Sequence, residues 1–212
     1  MDWLILFLSG VIGGVLNSIA GGGSFITFPA LLFAGVPPIA ANATNTFASC
    51  AGYISGAYAL RHEIQSGTKQ LKLTIALCVI GGGIGAFLLL HTPEALFTQS
   101  VPWLLLLAAL LFTFGGTLNK WLKQATAKHK HATSAGAFFS ALLLLIVCIY
   151  GGYFNAGLGI VTLSYLALAG YTNINVMNGI KLLVSTCASL AAIVFFIVNG
   201  SIDWPSGMAV LM

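Results

Sequence analysis

Asn17-Ser18-Ile19-Ala20-Gly21-Gly22-Gly23-Ser24 lies in the middle of a run, residues 3 to 36, that contains no charged residue. As one upright helix, about 33 residues at roughly 1.5 Å each would reach about 50 Å, against an apolar bilayer core of about 30 Å. The run must therefore tilt, bend or break. Three consecutive glycines destabilise a helix interior, and Ser24 is a good N-cap for a second helical segment. We expect a break at mid-depth and a new half-helix over residues 25 to 35.

The rest of the chain supports a membrane reading. Of 212 residues, 58% are hydrophobic and 6% charged, and the mean hydropathy is +1.00, whereas soluble domains carry about 25% charged residues. The fold class expected is all-α, a polytopic membrane protein. Only four carboxylates occur, Asp2, Glu63, Glu94 and Asp203, which removes carboxylate-rich metal sites and two-metal phosphoryl chemistry. The net charge of +4 falls on no basic face with interleaved aromatics, so no nucleic-acid partner is expected. Seven of the eight basic residues sit in two stretches, Arg61, Lys69 and Lys72, then Lys120, Lys123, Lys128 and Lys130. Both loops, residues 61 to 72 and 119 to 134, are expected to be cytoplasmic, with the N-terminus external. Met1-Asp2-Trp3 offers no basic n-region or cleavage site, so the first segment is expected to be retained.

Pro37-Pro38 separates the first run from a span over residues 38 to 60. Spans at 73 to 90 and 101 to 118 come next, divided by a loop holding Pro93, Glu94 and Pro102. A second overlong uncharged run, residues 135 to 170, is interrupted at Asn155-Ala156-Gly157-Leu158-Gly159. A span over 174 to 198 contains Lys181, and Asp203-Trp204-Pro205 reads as a helix start. Trp3, Trp103, Trp121 and Trp204 are expected at segment ends as interfacial anchors. Cys50, Cys78, Cys148 and Cys187 stand singly in apolar sequence and read as packing residues.

The two interrupted runs resemble each other. Gly13-Gly14 through Asn17 aligns with Gly151-Gly152 through Asn155, and at an offset of 136 Asn42 pairs with Asn178, Asn45 with Lys181 and Ser49 with Ser185. Two homologous halves are expected, residues 1–118 and 135–212, joined by the basic loop 119–134. Each half holds one broken pair and three spans, an odd number, so the halves are expected to be inverted, as in secondary transporters. If the first piece were a complete span, they would be parallel. Extending the offset predicts about two further spans beyond Met212.

Lys181 stands about a third of the way into an apolar helix, where a charged lysine costs about 2.5–3.5 kcal/mol on insertion scales. No carboxylate falls in any span centre to neutralise it. It reads as the partner of an anionic substrate or as a group in proton coupling, against the plainer role of a snorkelling or carbonyl-paired lysine. Half-helices starting after Gly21, Gly22 and Gly23 and near Gly157 and Gly159 would aim N–H groups and positive dipole ends inward, where oxyanions bind; otherwise these glycines serve close packing. Asn17, Ser24, Asn42, Thr44, Asn45, Asn155 and Asn178 complete the candidate substrate site, though such amides also glue helices together. His129 and His131 read as solvated, no metal or cofactor is expected, and with no internal histidine or carboxylate pair an enzyme is not expected.

Gly13-Gly14 through Gly21-Gly22-Gly23, Ala41-Asn42-Ala43-Thr44-Asn45, Asn178-Gly179-Ile180-Lys181 and Gly200-Ser201-Ile202-Asp203-Trp204 together resemble the sulfite exporter TauE/SafE family, also called the toluene-sulfonate uptake permease family. The family's second half carries an Asn-Ala-Leu-Lys pattern, here Asn178-Gly179-Ile180-Lys181, and its members are usually longer than this chain. The resemblance implies a prokaryotic inner-membrane carrier of sulfite, sulfonates or other sulfur-containing anions, driven by the proton motive force. The alternative is an anion channel or a permease for another small organic anion.

Overall fold

The computed structural model describes residues 2–67, 70–126 and 134–211. Ten helices occur among them. They are α1 (Asp2–Ala20), α2 (Ser24–Phe33), α3 (Pro38–Ala59), α4 (Arg61–Gly67), α5 (Leu71–Leu90), α6 (Glu94–Thr126), α7 (Ser134–Tyr153), α8 (Leu158–Leu168), α9 (Ile174–Val198) and α10 (Trp204–Val210). Both overlong runs break where expected. Gly21 (φ 77°) parts α1 from α2, and Gly157 (φ 82°) caps α8 after the unwound Phe154–Ala156 stretch. Only glycine adopts such φ values without strain.

The helix ends arise from local chemistry. Pro38 opens α3, where its missing N–H costs nothing. Asn173 caps α9 by accepting from the N–H groups of Asn175 and Val176. Three helices close alike: beyond α2, α8 and α9 a left-handed glycine (Gly35, Gly170, Gly200) turns the chain, and the next residue's N–H returns to a carbonyl one turn back. Val36 thus donates to Leu31 at 3.1 Å, Tyr171 to Leu166 at 3.0 Å and Ser201 to Phe196 at 2.9 Å. Gly35 and Gly170 stand 135 positions apart, close to the repeat offset of 136.

Several expectations are corrected. Ser24 does not cap α2; Gly23 occupies the N-cap and no side chain bonds there. Glu94 and Pro102 lie inside α6, not in a loop; Pro102 is its ninth residue, so the helix runs on through a proline at the cost of one backbone hydrogen bond. Trp103 is accordingly an exposed residue within α6, not at a segment end. The stretch from 61 to 72 holds helix α4 and the start of α5, which includes Lys72. Residues 119 to 126 are helical; residues 127 to 133, with Lys128, His129, Lys130 and His131, lie outside the described residues, as does Lys69. The cysteines are not all single, since Cys148 Sγ and Cys78 Sγ meet at 3.4 Å between α7 and α5.

Packing is inside-out relative to a soluble protein. Leu4, Phe7, Val11 and Val15 project from α1, and Val79, Ile80 and Phe87 from α5, all exposed, while Asn17, Thr27, Asn42, Asn45, Asn155 and Lys181 are buried. A bilayer takes the first set and leaves polar groups to the helix interior. Helices α5 and α9 are long and apolar enough to cross it. Sequence reasoning passed over Gly81-Gly82-Gly83-Ile84-Gly85, which lets α5 approach its neighbours backbone to backbone. A Cβ on Gly85 would sit 2.1 Å from the Ile149 carbonyl oxygen of α7, and one on Gly82 would sit 2.3 Å from the Ala188 oxygen of α9. Small residues permit this contact, which drives helix association in lipid.

Candidate functional site

The two breaks meet. A Cβ on Gly21 would lie 2.8 Å from Gly159 Cα, and one on Gly159 would lie 2.6 Å from Gly21 Cα. The segment before α2 and the first turn of α8 therefore touch through bare backbone. The N–H groups of Ala156, Gly157 and Gly159 form no hydrogen bond among the described residues. The first N–H groups of a helix have no intrahelical partner and carry its positive dipole end.

Lys181 arrives at this contact from α9. Its stem lies against Gly21, where a Cβ would be 3.4 Å from Lys181 Cδ. The residue is 1% exposed, and Nζ has no hydrogen-bond partner among the described residues. Asn178, Lys181 and Ser185 succeed one another at intervals of three and four, so they share one face of α9. Asn178 Oδ1 and Ser185 Oγ are likewise buried without partners. Helix α3 packs against α9 and carries the matching stripe Asn42, Asn45 and Ser49, all buried.

A polar network holds the second break in place. Asn155 Oδ1 accepts from the Tyr53 hydroxyl at 3.0 Å, and its Nδ2 donates to Ser189 Oγ at 3.0 Å. Asn42 Nδ2 donates to the Tyr153 carbonyl at 3.1 Å, while its Oδ1 accepts from Asn155 N–H at 3.4 Å. The side-chain amides of Asn42 and Asn155 are thus engaged within the protein. They tie the second break to α3 and α9. Ser24, Ser49 and Asn17 also surround the Tyr53 hydroxyl.

The first break is held less completely. Thr27 donates to Asn45 Oδ1 at 2.5 Å and leaves Asn45 Nδ2 unpartnered. Asn17 Oδ1 and Ser24 Oγ are also buried without partners. Gly23 packs on α1, where a Cβ would strike the Gly13 carbonyl oxygen at 2.1 Å, and Gly22 lies beside Phe25 and Ile160. A cavity of about 380 Å³ opens beside Asn17, between Gly14 and Ser18 of α1, Gly52 and Gly56 of α3, and Leu182 of α9.

The structure thus gathers Asn17, Gly21, Ser24, Asn155, Gly157, Gly159 and Lys181 at the breaks, with Asn45 and Asn178 on the flanking helix faces. Thr44 faces elsewhere. Its Oγ1 accepts from Asp203 N–H at 2.9 Å, and its methyl lies against Gly207, so it anchors α10. Sequence reasoning did not assign Tyr53, Thr27 or Ser189. Tyr53 and Ser189 stand 136 positions apart, so extending the repeat alignment one turn beyond Ser49 would have found both.

Comparison with known proteins agrees with this architecture. The sequence pattern of the family described as sulfite exporter TauE/SafE matches residues 6–212. The "Probable membrane transporter protein YfcA" of Escherichia coli K12 is 30% identical over 210 residues, covering 98% of this chain and 75% of that protein. A "Probable membrane transporter protein" of Haemophilus influenzae is 26% identical over 208 residues, covering 98% and 78%. No solved structure matches significantly. A polytopic helical bundle with paired helix breaks, and a match to this family over almost its whole length, make the chain a membrane transporter belonging to the sulfite exporter TauE/SafE family.

Proposed function

We propose that the protein is a secondary transporter, acting as an exporter, of sulfur-containing oxyanions such as sulfite or organosulfonates across the cell inner membrane. One observation carries the reading: Lys181 is buried beside the Gly21–Gly159 contact with no partner for its ammonium. A buried cation without a counter-ion is costly unless something compensates it, and a bound anion does so. Asn45 Nδ2 and the N–H groups at the start of α8 add uncharged donors, and the helix dipoles favour the same sign of charge.

In this reading the halves are inverted repeats that rock about the site. The network on Asn155 and the open cavity beside Asn17 correspond to a state closed at one break and accessible at the other. The basic stretches at 61 to 72 and 119 to 134 face the cytoplasm, and protons serve as the coupling ion. The test is sulfite and sulfonate flux into proteoliposomes. Saturable flux that responds to a pH gradient, and falls at least tenfold in Lys181→Ala and Asn45→Ala, is expected. Wild-type flux in both variants overturns the site, and unsaturable flux indifferent to the gradient makes the protein a channel.

A further inference from the structure

We infer that the site takes its oxyanion as a monoanion, hydrogen sulfite in the case of sulfite, so that sulfite crosses together with its own proton. The inference rests on the oxyanion reading of this same site and specifies the charge state of its ligand.

The first support is charge. Lys181 brings one positive charge to the breaks. The chain has only four carboxylates to set against it, and none is there. Asp2 opens α1, Glu63 lies in α4, Glu94 is exposed at the start of α6, and Asp203 precedes α10. A monoanion neutralises the buried ammonium; a dianion leaves a net negative charge out of water, which is strongly disfavoured.

The second is hydrogen bonding. Among the unpartnered buried atoms are two amide oxygens, Asn17 Oδ1 and Asn178 Oδ1, which can only accept. Asn178 stands one turn from Lys181 on the same face of α9. A fully deprotonated oxyanion has no hydrogen to give them, and an unpaired buried acceptor costs about 1–3 kcal/mol. A ligand with an S–OH or S–H group supplies the missing donor.

The third is the scarcity of proton carriers. The titratable groups buried on the helices around Lys181 are the phenol Tyr53 and the thiols Cys50, Cys78 and Cys148, with Tyr150, Tyr153, Tyr165 and Cys187 half-buried. The one carboxylate among the half-buried groups on these helices, Glu63, lies on α4 and not at the breaks, and the Tyr53 proton is already given to Asn155. His62 lies in α4 and His91 at the end of α5, both exposed. A proton carried on the ligand needs no relay: HSO3⁻ is released on the far side and dissociates to SO3²⁻ and H⁺, so mass and charge balance without a protein base.

The test uses three tetrahedral or pyramidal oxyanions on the purified full-length chain across pH 6 to 9: methanesulfonate, a monoanion throughout; sulfate, a dianion throughout; and sulfite, which loses its second proton near neutrality. Dissociation constants come from thermal shifts. At pH 6 sulfite should bind more tightly than methanesulfonate, which has no hydrogen to give the two amide oxygens; methanesulfonate should bind with a pH profile that reports only Lys181, sulfate should bind at least tenfold more weakly than methanesulfonate, and sulfite should weaken, relative to methanesulfonate, about tenfold per pH unit above its second ionisation. In vesicles holding a pH dye, sulfite entry should acidify the lumen beyond protein-free controls, whereas methanesulfonate entry should not. Sulfate binding as tightly as methanesulfonate, or sulfite tracking methanesulfonate at all pH values, overturns the charge state alone. Failure of all three to bind overturns the oxyanion site with it.

Discussion

Replacing Lys181 by methionine should make the protein more stable and less able to sense its ligand. Methionine keeps the length and flexibility of the lysine stem, so the contact with Gly21 survives while the unpartnered ammonium disappears. A charged lysine within an apolar span costs about 2.5–3.5 kcal/mol. Local hydration recovers part of that, so the variant should gain on the order of 1–3 kcal/mol. At about 2–4 °C per kcal/mol for a chain of this size, the midpoint in detergent should rise by several degrees. The wild type should gain about 2.7 kcal/mol from anion at one hundred times its dissociation constant, and the variant should gain almost none. Differential thermal denaturation with and without methanesulfonate reads both quantities. A lower midpoint with the anion response intact would refute the reasoning, because it would make Lys181 a structural residue whose charge the helices themselves satisfy.

Three further outcomes rest on the same contacts. Gly159→Ala drives a Cβ to 2.6 Å from Gly21 Cα; with backbone on both sides, overpacking should cost about 1–3 kcal/mol and abolish flux, measured by thermal denaturation and anion uptake. Tyr53→Phe keeps the ring but strips Asn155 Oδ1 of its donor, so a loss of about 1–3 kcal/mol is expected, and Asn155→Ala combined with it should cost less than the sum of the two. Gly81→Ala, whose Cβ would meet Cys148 Cβ at 2.6 Å, seven positions before Asn155, should loosen α5 from α7, lowering the midpoint while leaving the anion dissociation constant unchanged.

The breaks were legible in the sequence because bilayer thickness is a hard ruler: two uncharged runs were too long for it, and glycines marked where each gave way. Lys181 was legible by cost alone. The stripes on α3 and α9 came from helical periodicity, and their facing each other required only that polar groups avoid lipid. The features that stayed hidden depend on distant partners. Whether Asn42 and Asn155 serve a ligand or the fold is decided by Tyr153, Tyr53 and Ser189, between 34 and 111 positions away. The Cys78–Cys148 meeting likewise joins residues 70 apart, and spacing along one helix says nothing of it. The continuity of α6 through Pro102 was missed because an interior proline ordinarily ends or kinks a helix, and here the helix runs on through it.

The brevity of α2 and α8 bears on how the protein is made. At ten and eleven residues, each covers about 15–17 Å, half the apolar core, too little to be held in the bilayer as an independent span during synthesis. Each must be received by helices already there. For α8 the receiving surface is α6 and α7, against which it packs, and the stretch leading into it is bonded to Asn42 and Tyr53 of α3, made about a hundred residues earlier. The ribosome thus delivers the template before the segment it shapes, and a chain altered at Asn42 or Tyr53 should fail late, with α1 to α7 inserted and α8 left protease-sensitive at the membrane surface.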